Sequence, residues 1–162
     1  MGGFYFTRRG LQKLHSEIAE LEKKLQDLQS QTAQTAETGG NQWHDNASYE
    51  SLVIDIRGMD WRLSEAHQAL NGAILVEPPT SFDQVFIGTR VKIVHDGKEV
   101  VWEIVGFGES DPDHEMVAYN TPLASLIMGK CKGEVVSAAI AGRRTRIEIL
   151  EKLCGTETMV AI

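Results

Sequence analysis

Nowhere in the chain do apolar residues run for the ~20 positions that a helix needs to cross a bilayer. Met1 to Gly10 also lacks an apolar segment followed by a small-residue cleavage site, so the expected location is the cytoplasm. Cysteine is scarce: Cys131 and Cys154 stand far apart, without a CxxC or histidine-paired spacing, which excludes a recognisable zinc site or redox dithiol and leaves two reduced structural thiols. Positive charge is in deficit as well, 16 basic residues against 23 acidic, for a formal net charge of −7. Splitting the chain at Leu75 gives seven basic and ten acidic residues before it and nine and thirteen after it, hence −3 and −4. Neither half resembles an autonomous nucleic-acid binder, because such affinity comes largely from cationic contacts that displace counterions from phosphate. Contact with DNA or RNA is therefore expected only indirectly, through a protein partner. Arg143, Arg144 and Arg146 form the one local basic cluster and read as a solvated turn and strand face.

What is present is a globular composition. The 162 residues are 42% apolar, enough for packed cores in one ordinary domain or two small ones. Leu11, Leu14, Ile18, Leu21, Leu25 and Leu28 alternate steps of three and four, as a coiled-coil seam requires. Leu52, Ile56, Met59, Leu63, Ala66 and Leu70 repeat the rule, while Glu20, Glu22, Lys23, Lys24 and Asp27 lie off the first stripe. Two seams joined by one loop predict an antiparallel hairpin over residues 1–77. Thr7 can cap the first helix, and Glu37-Thr38-Gly39-Gly40-Asn41 supplies helix breakers, so the tip is expected within 32–48. Arms of about 30 residues would reach about 45 Å, longer than a compact domain requires. A plain hairpin that dimerises or spaces two domains has the same periodicity. Gly58 with Met59, and Trp43 at the tip, fit either reading.

Pro78 and Pro79 followed by Ser81 end the helical pattern and predict a linker over 78–84. Beyond it, Arg90 to Val94 and Glu99 to Val105 flank Asp96-Gly97, a strong hairpin signal, and Val135 to Ile140 with Thr145 to Leu150 form a second pair around Gly142. Pro122 to Met128 reads as a short helix bounded by Gly129. The half 85–162 is thus α+β, with an antiparallel sheet. Glu109, Asp111, Asp113, His114 and Glu115 bear on a calcium site. Pro112 interrupts the run, no glycine makes the sharp turn and no glutamate stands at loop position twelve, so a solvated acidic loop is expected.

Five stretches carry a resemblance: Thr7 to Leu14 (Thr-Arg-Arg-Gly-Leu-Gln-Lys-Leu), Asp45 to Tyr49 (Asp-Asn-Ala-Ser-Tyr), Arg62 with Leu63, Phe86 to Val91 (Phe-Ile-Gly-Thr-Arg-Val), and Asn120 to Lys130. Together they resemble the GreA/GreB family of bacterial transcription factors over nearly the whole chain. The last is the most specific, similar to the family's Asn-Ser-Pro-Ile-Ala…Leu-Ile-Gly-Lys. The resemblance implies an FKBP-like carboxy-terminal half that docks on the rim of the RNA polymerase secondary channel while the hairpin enters it, and it brings Thr121, Pro122 and Leu123 forward as docking residues. It also implies that two tip acids help hold a magnesium ion at the polymerase's own active centre, where a two-metal site hydrolyses backtracked RNA. On that reading the chain has no cofactor of its own, shares a magnesium with the polymerase, and is not itself an enzyme.

The tip departs from the pattern. Cleavage-active relatives read Gly-Asp-Leu-Lys-Glu-Asn-Ala-Glu-Tyr, whereas this chain reads Gly40-Asn41-Gln42-Trp43-His44-Asp45-Asn46-Ala47-Ser48-Tyr49. Registered on Asn46, Ala47 and Tyr49, Asp45 matches the second acid and Gln42 takes the place of the first. Registered on Gly40, Asn41 takes that place, so either way one carboxylate is lost. His44 suits positioning a water or phosphate, but it also suits an exposed loop, and Asp45 or Asn46 a helix cap. Thr121-Pro122 likewise suits an ordinary helix start. Three readings follow: a secondary-channel factor modulating elongation, pausing or initiation with weak or absent cleavage; a true cleavage stimulator using Asp45 with Glu37 or Glu50; and an FKBP-like prolyl isomerase or chaperone. The last leaves the long hairpin without a purpose and has only Trp102 as a tryptophan in its domain.

Overall fold

The structure, a computed structural model, describes residues 2–38, 47–78 and 83–153. It divides into two compact units, Met1–Leu11 with Ile74–Ile162, and Gln12–Ala73.

The second unit is helical. α1 (Arg8–Thr38) contributes most of its length and α2 (Ala47–Asn71) all of it. The heptad positions behave as the periodicity predicts. Leu14, Ile18 and Leu21 are buried, and Leu25 and Leu28 half-buried; across from them Leu52, Ile56, Met59, Leu63, Ala66 and Leu70 are all half-buried. His67 Nε2 meets Glu22 Oε1 at 3.6 Å across the pair. With those residues side by side, a parallel arrangement would separate Thr38 from Ala47 by about 54 Å at ~1.5 Å per residue. Nine extended steps cover only ~32 Å, so the helices run antiparallel. α1 continues to Thr38, well into the expected 32–48 tip. Thr32 and Thr35 prolong the half-buried stripe, and their hydroxyls donate to the carbonyls four residues back, Leu28 and Gln31, at 2.8 Å each. A hydroxyl bonded to its own helix tolerates the seam without leaving a bare polar group. Ile54 and Trp61, 68% and 64% exposed, lie one heptad apart on the side of α2 away from its seam.

Among the described residues, the first unit holds seven strands and a short helix. β1 (Phe4–Phe6) pairs with β2 (Ala73–Leu75), and β3 (Arg90–His95), β4 (Lys98–Val105), β5 (Met116–Ala118), β6 (Val135–Ile140) and β7 (Arg143–Leu153) form one sheet in the order β5-β4-β3-β7-β6. Both predicted hairpins form, with Asp96-Gly97 and Ala141-Gly142 each at positive φ (48° and 83°; 50° and 77°), the geometry of the tight turn that suits strand twist. α3 (Pro122–Ile127) sends Ala124 and Ile127 into a core of Val85, Val91, Ile93, Ile104, Ile147 and Ile149. This is the expected α+β arrangement with one correction: β5 lies parallel to β4, Glu103↔Met116 to Val105↔Ala118, so the sheet is mixed. The connection 106–115 carries the chain back along β4 through a 3₁₀ turn at Pro112–His114 and a left-handed Glu115 (φ 57°), a crossover instead of a hairpin.

Phe4–Phe6 and Ile74–Leu75 are strands of the sheet unit, and the Val76 amide donates to the Phe6 carbonyl at 2.8 Å. Phe4 and Phe6 pack on Phe107 with ring centroids 4.5 and 5.9 Å apart. Residues flanking a heptad pattern carry no periodic sign of which neighbour they will join.

Candidate functional site

Asn120 to Lys130 forms one tightly tied segment. Thr121 (φ −72°, ψ 151°) caps α3: its hydroxyl accepts from the Ala124 amide at 3.3 Å and donates to the Ala118 carbonyl at 2.8 Å. Pro122 follows at the first helical position, where its missing N–H goes unneeded. Gly129 (φ 74°) stands in the turn just beyond the helix; its amide donates to Val85 O at 2.8 Å, while Val85 N donates to Lys130 O at 2.9 Å. Burial of Ala124 and Ile127 therefore leaves Asn120, Pro122 and Ser125 exposed, with Leu123 half-buried against the core. The three sequence-predicted docking residues come together at the start of α3. Thr121 acts there as a cap, its hydroxyl occupied on both sides, so the surface left for a partner is Pro122 with the outer part of Leu123. Replacing Thr121 by alanine should cost about 1 kcal/mol of stability, the usual range for an N-cap, and Thr121→Ser should restore it, as read by thermal unfolding.

Sequence reasoning missed Glu109. Placed in the acidic loop and expected to be solvated, it is only 3% exposed. Its carboxylate accepts from the Thr7 amide at 2.9 Å and from the Thr7 hydroxyl at 2.5 Å, and the same Thr7 oxygen accepts from the Gly10 amide at 3.1 Å, as an N-cap should. Glycines make the space: a Cβ on either Gly10 or Gly106 would collide with the Glu109 carboxylate. Hydrogen bonds hold this buried carboxylate, which binds the first turn of α1 to the loop after β4. The signal in the sequence was Gly10 itself, a residue that weakens a helix unless something must approach closely. Beyond Glu109 the loop is exposed apart from the half-buried Asp111, and the His114 imidazole hydrogen-bonded to Asp111 at 2.8 Å holds that carboxyl below the usual carboxylate range. Among the described residues, no group of three or more histidine, cysteine, aspartate or glutamate side chains is arranged to hold a metal ion.

Gln42, Trp43, His44, Asp45 and Asn46 lie outside the described residues, as does Cys154; Cys131 is a free, half-buried thiol. Among the described residues, no helix is long and apolar enough to cross a membrane.

Residues 79–151 match the family model "Transcription elongation factor, GreA/GreB, C-term". Over 149 residues, 90% of this chain and 94% of the relative, it is 30% identical to the transcription elongation factor GreA of Alkalilimnicola ehrlichii. The chain belongs to the GreA/GreB family. A second member, GreA of Nitratiruptor sp., is 28% identical over 148 residues, covering 90% of each chain. Among solved structures, the GreA factor homolog 1 (Gfh1) protein of Thermus thermophilus aligns over 93% of this chain and 99% of its own at 15% identity, with a TM-score of 0.45. For a GreA/GreB-family chain, α3 and its cap lie within the matched C-terminal region, and Thr7 with Gly10 lies before it.

Proposed function

We propose that this GreA/GreB-family chain binds RNA polymerase at the secondary channel, docks through Pro122 and Leu123 at the start of α3, and modulates elongation, pausing or initiation with weak or absent stimulation of transcript cleavage. The observation that carries the reading is the tip sequence, in which Gln42 or Asn41 stands where the cleavage-active pattern has its first acid and only Asp45 remains. Magnesium would supply charge stabilisation for attacking and leaving oxygens at the polymerase's active centre. One side-chain carboxylate from this chain is a thin contribution to a hard cation that is usually held by several oxygens. Occupying a channel, by contrast, needs only length and an anchor, and helices of 31 and 25 residues supply the length. The chain then acts on the polymerase's active centre without one of its own, and meets nucleic acid only within the transcription complex, in keeping with its net charge of −7.

A cleavage-stimulating reading keeps one observation in its favour, the retention of Asp45 in register with Asn46, Ala47 and Tyr49. Competition against a cleavage-active Gre factor on core polymerase tests the docking. The wild-type chain should compete, and Pro122→Ala with Leu123→Ser should weaken competition about tenfold, as losing two apolar contacts would, with the hairpin still folded by circular dichroism. Absence of binding at micromolar concentration would remove the proposal, and undiminished competition by the double variant would move the anchor elsewhere.

A further inference from the structure

Among the described residues, the sheet ends on one side in a strand with a free edge. β6 is terminal in the order β5-β4-β3-β7-β6, and its six residues, Val-Val-Ser-Ala-Ala-Ile, contain no charge and no proline. Natural edges are commonly protected by charge, proline or a bulge, because a bare row of N–H and C=O groups accepts another strand. Which groups face outward follows from the register. Arg146 uses its backbone on the β3 side: its carbonyl accepts from the Asp96 amide at 3.1 Å, and its amide donates to Asp96 Oδ1 at 3.0 Å. Alternation along an antiparallel strand then turns Thr145 and Ile147 toward β6. Their partners Ala138 and Val136 face β7 in return. Val135, Ser137 and Ala139 are left with amides and carbonyls on the open edge.

The same three residues are exposed, Val135 to 46%, and stand directly opposite Glu148, Arg146 and Arg144. Residues opposite one another share a face, so two arginines flank the small side chains of Ser137 and Ala139. Three other cations of this unit are paired: Lys92 with Glu99 at 2.7 Å, Arg9 with Glu103 at 2.9 Å and Arg8 with Glu77 at 2.6 Å. Arg144 and Arg146 form no ion pair with any described residue. A strand added to β6 would lie two strand spacings from β7, ~10 Å. An arginine reaching across serine or alanine can meet an aspartate or glutamate coming from that strand, a path that larger residues at those positions would block.

We propose that β6 is a strand-addition site for an extended acidic segment of a protein partner, which takes its main-chain hydrogen bonds from Val135, Ser137 and Ala139 and sets its carboxylates against Arg144 and Arg146. Main-chain pairing supplies affinity and the guanidinium groups supply selection. Charge decides the occupant. A second copy pairing through its own β6 would bring no carboxylate to the arginines and would oppose net charges of −7. Nucleic acid would use the arginines but not the row of backbone groups. This surface is separate from the α3 docking residues and does not depend on the function proposed for them.

The test uses the full chain and two fluorescein-labelled peptides, one alternating Glu and Thr and one alternating Lys and Thr, with binding read by anisotropy. The Glu-Thr peptide should bind and the Lys-Thr peptide should not, and raising salt from about 50 mM to about 300 mM should weaken the complex as the screening length contracts. Ser137→Pro removes one outward N–H without touching the β7 ladder, since proline is tolerated at a solvent-facing edge. It should lower affinity about tenfold, with hydrogen-exchange protection of the Val136 and Ala138 amides retained. Should that variant fold poorly, Arg144→Glu with Arg146→Glu carries the test independently by reversing the preference toward the Lys-Thr peptide. Equal binding of both peptides, or a preference that the charge reversal leaves unchanged, would overturn the proposal. So would a dimer that Ser137→Pro dissolves, or a short oligothymidylate that displaces the Glu-Thr peptide from the arginines.

Discussion

Restoring a carboxylate at the tip by Gln42→Asp is expected to raise stimulated cleavage of backtracked RNA by about tenfold to a hundredfold over a weak or absent wild-type level, a change of ~1.4–2.7 kcal/mol in barrier. Two unit charges ~4 Å apart interact by ~4 kcal/mol at an effective dielectric near 20, and a water-filled channel reduces what reaches the transition state. Docking should not improve, because the proposed anchor at Pro122 and Leu123 is untouched. Asp45→Ala should abolish residual cleavage while leaving most of the competition with a cleavage-active factor, since occupancy depends on the hairpin and its anchor and metal retention on charge. The measurement is RNA cleavage in a purified stalled complex. Vigorous wild-type cleavage would refute the reading of the tip. A Gln42→Asp variant that docks and stays silent would show that Trp43 or His44 alters the tip by more than one missing charge.

The second large effect is expected at Gly10. In an ordinary exposed helix, Gly→Ala stabilises by about 1 kcal/mol. Here the sign should reverse, with a loss of about 2–3 kcal/mol, because the added methyl would collide with the Glu109 carboxylate and push it from the Thr7 amide and hydroxyl. Glu109→Ala should cost a similar amount by leaving the Thr7 donors without their acceptor. The double substitution should cost little more than Glu109→Ala alone, since the methyl then enters vacated space; contacting residues are where additivity fails. Gly106→Ala has no such remedy, because its Cβ would also stand 2.7 Å from the Tyr5 carbonyl oxygen and 2.8 Å from Phe6 Cα, atoms of the main chain. Urea unfolding followed at Trp102, with Trp43 and Trp61 replaced by phenylalanine, reads the sheet unit itself. A stabilising Gly10→Ala, or strict additivity in the cycle, would reject the account of the buried carboxylate.

Local rules made much of this fold legible. The leucine steps from Leu11 to Leu28 and the series from Leu52 to Leu70 identified the seam residues because a helix repeats every 3.6 residues and its burial follows that period. Asp96-Gly97 and Gly142 marked their hairpins because few residues accept positive φ, and Thr121-Pro122 marked a helix start because a side-chain oxygen must satisfy an amide there. The resemblance of Asn120 to Lys130 then pointed to the family, which similarity over nearly the whole chain established.

Tertiary structure alone decided the rest, wherever the partner is remote in sequence. Phe4–Phe6 joins the sheet unit through Val76 and Phe107, β5 runs parallel to β4 through a crossover, and Glu109 lies buried against Thr7, 102 residues away. Read by composition, an aspartate- and glutamate-rich loop is solvated, because a carboxylate keeps its hydration unless donors replace it. Only the folded chain brings the Thr7 donors to Glu109 and clears the space with Gly10 and Gly106. The open edge of β6 is of the same kind. Its six residues announce a strand, but which strand ends the sheet, and which of its amides face outward over Arg144 and Arg146, is fixed by pairing across strands, a property that no local period encodes.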